Sequence, residues 1–238
     1  SPITLQVVQA ILIALSIWPL YLLCKTYHLK SWTTFIVISL YALFPALAGS
    51  CFNDFHENCL LPLFLFFLIW AYENDKIKLT ILFTILTLLI KEDSAILVAF
   101  LSLYYLIRQK KRKLAVGLLA LSILYFLSAI TLLSSYGNGV LGYMTNFTIE
   151  GKSGMLQMIL SLILNPAYSL LQCLQVTEKL YYLLFLVLPL NTILFVNKKY
   201  VRMIILFPFI LMNLMPNYDA LYTLQYQYHF GITVFLFY

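Results

Sequence analysis

Three short polar clusters interrupt an otherwise apolar chain: Asn53-Asp54-Phe55-His56-Glu57-Asn58, Lys91-Glu92-Asp93 and Gln225-Tyr226-Gln227-Tyr228-His229. The first sets two carboxylates and an imidazole close together. The second puts a cation beside two acids, and the third offers amide, phenol and imidazole groups. Two chemistries suit such groups if they meet. Asp54, His56, Glu57, Glu92 and Asp93 are candidates to take a proton from a hydroxyl nucleophile, while Lys91 or His229 stabilises a phosphate leaving group. Gln225, Gln227 and Tyr228 would then join them in binding substrate. Alternatively, Asp54, Glu57, Glu92 and Asp93 could hold Mg²⁺ or Mn²⁺ through oxygen, with His56 or His229 favouring the softer ion. The candidate metal ligands are therefore Asp54, His56, Glu92 and Asp93. Plainer roles exist for each cluster: a Lys91 ion pair at a helix start, a solvated loop at Asp54–Glu57, and an interfacial aromatic belt at Gln225–His229.

The elements that must position these groups are set by lipid. Hydrophobic residues make up 63% of the chain and charged residues 10%, and the mean hydropathy is +0.92. A soluble domain could not cover that much apolar surface. The formal charge is +6, but no segment interleaves cations with exposed aromatics on a polar surface, so no nucleic-acid partner is expected. Instead the charge is segregated. Lys25, Lys30, Lys76, Lys78, Arg108, Lys110, Lys111, Arg112, Lys113, Lys198, Lys199 and Arg202 fall in one set of connections. Asp54, Glu57, Glu92, Asp93, Glu150, Glu178 and Asp219 fall in the alternate set, with only Lys91, Lys152 and Lys179. The positive-inside rule puts the first set in the cytoplasm and the second outside.

Apolar runs predict spans at about 3–24, 31–49, 59–72, 79–90, 94–107, 114–133, 179–196 and 203–216, with a ninth beginning near 230. The expectation is thus an all-α polytopic bundle of eight to nine spans in one integral-membrane domain, residues 1–238. Merging 79–107 into one helix would bury Lys91-Glu92-Asp93 at its middle and reverse the side of Arg108–Lys113, so two helices are preferred. Twelve helical residues rise only about 18 Å, against a hydrocarbon core of about 30 Å. The Lys91-Glu92-Asp93 corner should therefore lie in a recess below the outer membrane surface. Charges at that depth are costly unless they are paired or line a watered cavity.

Asn165-Pro166 reads as an N-cap and first helical residue, opening an amphipathic helix that lies in the outer interface. Ser134–Gly142 reads as a flexible loop, and Asn146-Phe147-Thr148 fits a glycosylation sequon. Cys51 and Cys59 bracket the first polar cluster and could be bridged in an oxidising compartment. No Cys/His spacing suggests zinc. The chain opens at Ser1 and closes inside an apolar run, so both ends are expected to be cut. The first segment lacks a basic n-region and a cleavage site, and is read as a span.

These motifs carry a resemblance. Asp54-Phe55-His56-Glu57-Asn58 ahead of an apolar run through Pro62, then Lys91-Glu92-Asp93, Tyr104-Tyr105-Leu106 and the closing Gln227-Tyr228-His229-Phe230-Gly231, resemble the domain of unknown function 2079 family of multi-pass prokaryotic membrane proteins. That family is similar in turn to integral-membrane glycosyltransferases of the GT-C type. The resemblance implies a GT-C-like bundle in a prokaryotic cell membrane, a polyprenyl-phosphate-linked sugar as donor, and a cavity between external loops and the outer leaflet. In GT-C enzymes a key acid lies in the first long external loop. This chain is expected to begin after that loop, which leaves the usual base unassigned. The expectation is that Asp54 or Glu92 orients or deprotonates the acceptor, while Lys91 and His229, with or without a divalent metal, hold the lipid phosphate. The rivals are a transporter of an ion or small solute, since recessed charges also mark ion pathways, and a non-catalytic membrane subunit. No internal repeat of the kind that builds transporters is visible.

Overall fold

The computed structural model describes residues 2–51, 54–136, 147, 151, 155–190 and 200–238. Among these, all regular structure is helical. The elements are α1 (Pro2–Leu15), α2 (Ile17–Thr26), α3 (Ser31–Ala42), α4 (Pro45–Cys51), a 3-10 turn at Glu57–Leu60, α5 (Leu61–Glu73), α6 (Ile77–Leu88), α7 (Ser94–Ile107), α8 (Arg112–Tyr136), α9 (Met155–Leu164), α10 (Pro166–Leu174) and α11 (Thr177–Val187). They are followed by α12 (Val201–Leu214), which is tightly wound at its start and wide at its end, and by α13 (Phe230–Phe237). Pro45 and Pro166 open their helices, where a missing N–H costs no hydrogen bond. The Asn165 side chain caps α10 by accepting from Tyr168 N at 3.2 Å, as the sequence predicts.

α5 is the central rod. Leu65, Phe66, Leu68, Ile69, Ala71 and Tyr72 along it are fully buried. Large apolar side chains elsewhere point outward, such as Leu124 on α8 at 66% exposure and Leu164 on α9 at 72%. An apolar girdle of that kind needs lipid as its solvent. On α10 the leucines Leu170, Leu171 and Leu174 face out, while Ser169, Gln172 and Cys173 are buried.

Three corners share one device. After α2, α5 and α7 the chain turns through His28, Asp75 and Gln109, each with positive φ (53°, 61° and 53°). At each corner the next N–H reaches back to a helix carbonyl: Leu29 to Cys24, Lys76 to Ala71, and Lys110 to Tyr105. This is the Schellman closure, here without glycine. It gathers the basic connections at one end of the bundle. There Asn74 donates to Thr26 Oγ1 (2.8 Å), Arg108 and Lys110 reach Glu73, and Arg202 donates to the Tyr238 carbonyl at 3.2 Å. The opposite end gathers the acidic motifs. There Gln9 donates to Ser50 O (3.3 Å) and accepts from His56 N (3.0 Å), and Ser50 bonds the Tyr226 carbonyl.

Helix length and composition support two membrane spans, Ile3–Thr26 and Arg112–Leu133, or four if Ser31–Ala42 with Pro45–Cys51 (bent 42°) and Gln157–Leu164 with Pro166–Leu174 (bent 113°) each count as one. The eight or nine expected above include helices of 12–14 residues, such as α5, α6 and α7, which are individually too short to cross. The 79–107 run is two helices broken at Leu89–Asp93. All four cysteines are free, Cys51 and Cys59 included. Asn53, Glu150, Lys152, Lys198, Lys199, residues 137–142, the sequon residues Asn146 and Thr148, and residues 191–196 of the seventh run lie outside the described residues.

Candidate active site

The Leu89–Asp93 corner and the start of α13 frame a cavity of about 170 Å³, whose wall includes Asn58, Lys91, Glu92, Asp93, Asn213 and Tyr228. Each arrives from a different element. Asn58 comes from the 3-10 turn before α5, the charged triplet from the α6–α7 corner, Asn213 from α12, and Tyr228 from the turn before α13. Gly231 forms part of the floor. A Cβ there would meet Leu97 Cδ1 at 2.5 Å, so a larger residue would have to displace that side chain where α13 passes α7. Asn213 holds the wall together, donating to Leu221 O at 2.8 Å and Tyr228 O at 3.4 Å.

The electrostatics are uneven. Lys91 Nζ lies 5.6 Å from the Tyr228 ring centre, a cation–π contact. Burial pushes the Asp93 carboxyl up to about 6; Lys91 pulls the other way, and Glu92 and Glu57 add to the rise. Asp93 Oδ1 and Asn58 Oδ1 are both buried without a hydrogen-bond partner among the described residues. Burial also lowers the His56 pKa, opposed by Glu57 and helped by Lys91. The first two motifs therefore share one electrostatic neighbourhood.

Convergence is partial. His56 Nδ1 sits 3.0 Å from Glu57 Oε2, but neither residue lines the cavity, and Asp54 is exposed outside it. Gln225 is exposed and Gln227 half-buried, both away from the wall. His229 is fully buried behind the wall, and both its ring nitrogens are engaged. Nδ1 meets Tyr182 Oη at 2.5 Å and Nε2 meets the Thr223 carbonyl at 2.8 Å. A carbonyl only accepts, so Nε2 carries the proton and Nδ1 accepts from Tyr182. Burial pushes the His229 pKa down to about 4, which keeps the ring neutral. The Tyr182 contact anchors the last turn to α11. Among the described residues no group of three or more His, Cys, Asp or Glu side chains could hold a metal ion, so Asp54, His56, Glu92 and Asp93 are not assembled as a ligand set.

Asn213 and Gln9 were not anticipated as site or scaffold residues. Each is an amide set in an apolar run, Asn213 within α12 and Gln9 one turn after Gln6 in α1, and such a group needs a buried partner.

A second hollow of about 330 Å³ adjoins the first. It lies between α7, α8, α9 and α12, and among the described residues Ser122 is the one polar residue on its wall. Ile96 and Phe126 line both hollows.

The outward apolar girdle and the helices of membrane-spanning length define an integral-membrane helical protein. The chain belongs to the DUF2079 family of predicted membrane proteins, whose family model matches residues 1–238. No curated protein and no solved structure matches it.

Proposed function

We propose that this chain is the membrane-embedded body of a GT-C-like glycosyltransferase. It takes a sugar from a polyprenyl-phosphate donor and passes it to a hydroxyl of an extracytoplasmic glycan, lipid or protein. The observation that carries this reading is the pairing of the two hollows. A polar cavity holding Lys91, Glu92 and Asp93 adjoins an apolar one through Ile96 and Phe126. That arrangement suits a ligand with a charged head and a long apolar tail.

In this reading the basic end faces the cytoplasm, and α5, α6, α7 and α12 are short spans of an eight- to nine-span bundle whose cavity opens to the outer leaflet. Lys91 faces the donor phosphate. The acceptor oxygen attacks the anomeric carbon, and its proton passes to Glu92. The sugar–phosphate C–O bond breaks, and its electron pair leaves with polyprenyl phosphate.

A transporter is favoured by one feature, the two bent helix pairs, since broken helices often frame transport sites. Neither break contributes a residue to the cavity, however: they fall at Leu43–Phe44 and Asn165. Full-length protein in liposomes, given glucosyl, galactosyl and mannosyl polyprenyl phosphates, tests the choice. Transfer lost in Glu92→Gln, with an unchanged melting temperature, is the expected result. Solute or ion flux without any lipid-linked donor, together with no transfer, would sink the transferase reading.

A further inference from the structure

Two buried side-chain oxygens in the cavity have no hydrogen-bond donor within reach among the described residues. Asn58 is 2% exposed and Asp93 stands just before α7 without a side-chain capping bond; the Oδ1 of each is buried without a hydrogen-bond partner among the described residues, and both residues line the same hollow. Leaving such an atom dry costs free energy that a well-packed apolar residue would not incur. The charges that act on Asp93 are Lys91, Glu92 and Glu57. Among the described residues Lys91 is the one cation in the wall, against two carboxylates.

That balance bears on what fills the space. An anionic group can use Lys91, but it has no interaction to make with two further acceptors, one of them on a carboxylate. Those acceptors suit a ligand that brings its own donors without bringing negative charge. Neutral hydroxyl groups meet both conditions. Adjacent hydroxyls on a ring present two O–H donors at a fixed spacing. The hollow, at about 170 Å³, is far larger than the roughly 30 Å³ that one water occupies in the liquid, so it has room for a compact polyol.

We propose that Asn58 and Asp93 form a hydroxyl-reading subsite, accepting hydrogen bonds from ring hydroxyls of the sugar while Lys91 faces the phosphate. The subsite rests on the donor reading given above and assigns its specificity. Asp93 is the stricter reader, because an ionised carboxylate only accepts, whereas the Asn58 amide can turn to present donors. Each lost hydrogen bond to a buried acceptor lowers affinity about tenfold to a hundredfold.

The test uses purified full-length protein in detergent. Binding of bare polyprenyl phosphate is measured beside that of its glucosyl, galactosyl and mannosyl forms, for wild type, Asn58→Leu and Asp93→Asn. The wild type should prefer at least one sugar-bearing lipid to the bare phosphate. Both variants should lose that preference tenfold or more, keep their affinity for the bare lipid phosphate, and melt no lower than wild type. Retained bare-lipid binding shows that the variants are folded. Variants that keep the sugar preference overturn the subsite and leave the transferase reading standing. A wild type that binds none of the four lipids overturns that reading and the subsite with it. A loss of bare-lipid binding in step with melting temperature makes Asn58 and Asp93 structural, and also overturns the subsite.

Discussion

The two ends of the bundle treat a buried carboxylate in opposite ways. At the basic end the Glu73 side chain is 3% exposed and meets three donors: Arg108 at 3.1 Å, Lys110 at 2.6 Å and the Tyr238 hydroxyl at 2.7 Å. Burial alone would raise its pKa, but the Lys110 and Tyr238 hydrogen bonds and the charges of Lys110 and Arg108 hold it below the ordinary value. The acid at the other end, Asp93, keeps one oxygen without a partner among the described residues, and its pKa rises to about 6. Glu73 ties the α5–α6 and α7–α8 corners to the end of α13. Asp93 ties nothing on that oxygen. A polar group satisfied from within the chain holds the fold together, whereas one left wanting is where a ligand can contribute most.

The contrast can be broken by mutation. Glu73→Ala should have the largest effect, a loss of about 2–3 kcal/mol in unfolding free energy. That is less than the 3–5 kcal/mol of a fully buried pair, because Arg108 and Lys110 still reach water. Their side chains are 33% and 30% exposed. Equilibrium unfolding in mixed micelles would measure it, and an unchanged stability would mean that the basic end is not the clamp. Asn58→Leu should move the other way, gaining about 1 kcal/mol while abolishing sugar transfer; a less stable variant would show that Asn58 is already satisfied.

Titration sharpens the same comparison. Asp93 has a folded pKa above its ordinary value of 3.8, so the folded state binds more protons between about pH 4 and 6, and stability rises as pH falls through that window. Melting temperature in Asp93→Asn should lose this rise. Glu73 has the opposite sign: its contribution is fully present above the ordinary carboxylate pKa and is lost as pH falls through its lower folded value. Glu73→Gln should flatten the acid limb alone. The smallest effect is at the corners. Gln109→Gly relieves a left-handed backbone (φ 53°) at the expense of a more flexible unfolded chain, for a net gain of about 0.5 kcal/mol by thermal unfolding.

Much of this was legible in the sequence. Charge segregation between alternate connections anticipated the two ends, because charges in short loops cannot be hidden in lipid. The Leu89–Asp93 break followed from keeping Arg108–Lys113 on the same side as the other basic connections, and the Asn165 cap followed from local chemistry. What stayed hidden depends on distant partners. Nothing near His229 says that Tyr182, 47 residues earlier, takes its Nδ1. Nor does Asp54-Phe55-His56-Glu57 reveal that its last neighbour, Asn58, is the one that turns inward. Span number was the hardest quantity to read, since helices of 12–14 residues can pack beside long ones without crossing alone.

The short central helices also shape what surrounds them. α5, α6 and α7, with 13, 12 and 14 residues, are about 18–21 Å long, whereas a bilayer's apolar layer is about 30 Å deep. If these helices cross the bilayer, lipid must thin or water must enter around such a waist. If the basic end is held at the cytoplasmic face by its charges, the whole mismatch falls on the other leaflet. The headgroup layer then dips toward Lys91 as a meniscus dips in a narrow tube. On the proposed reading, a lipid-borne sugar drifting in that leaflet would come level with the cavity without being lifted out of the membrane.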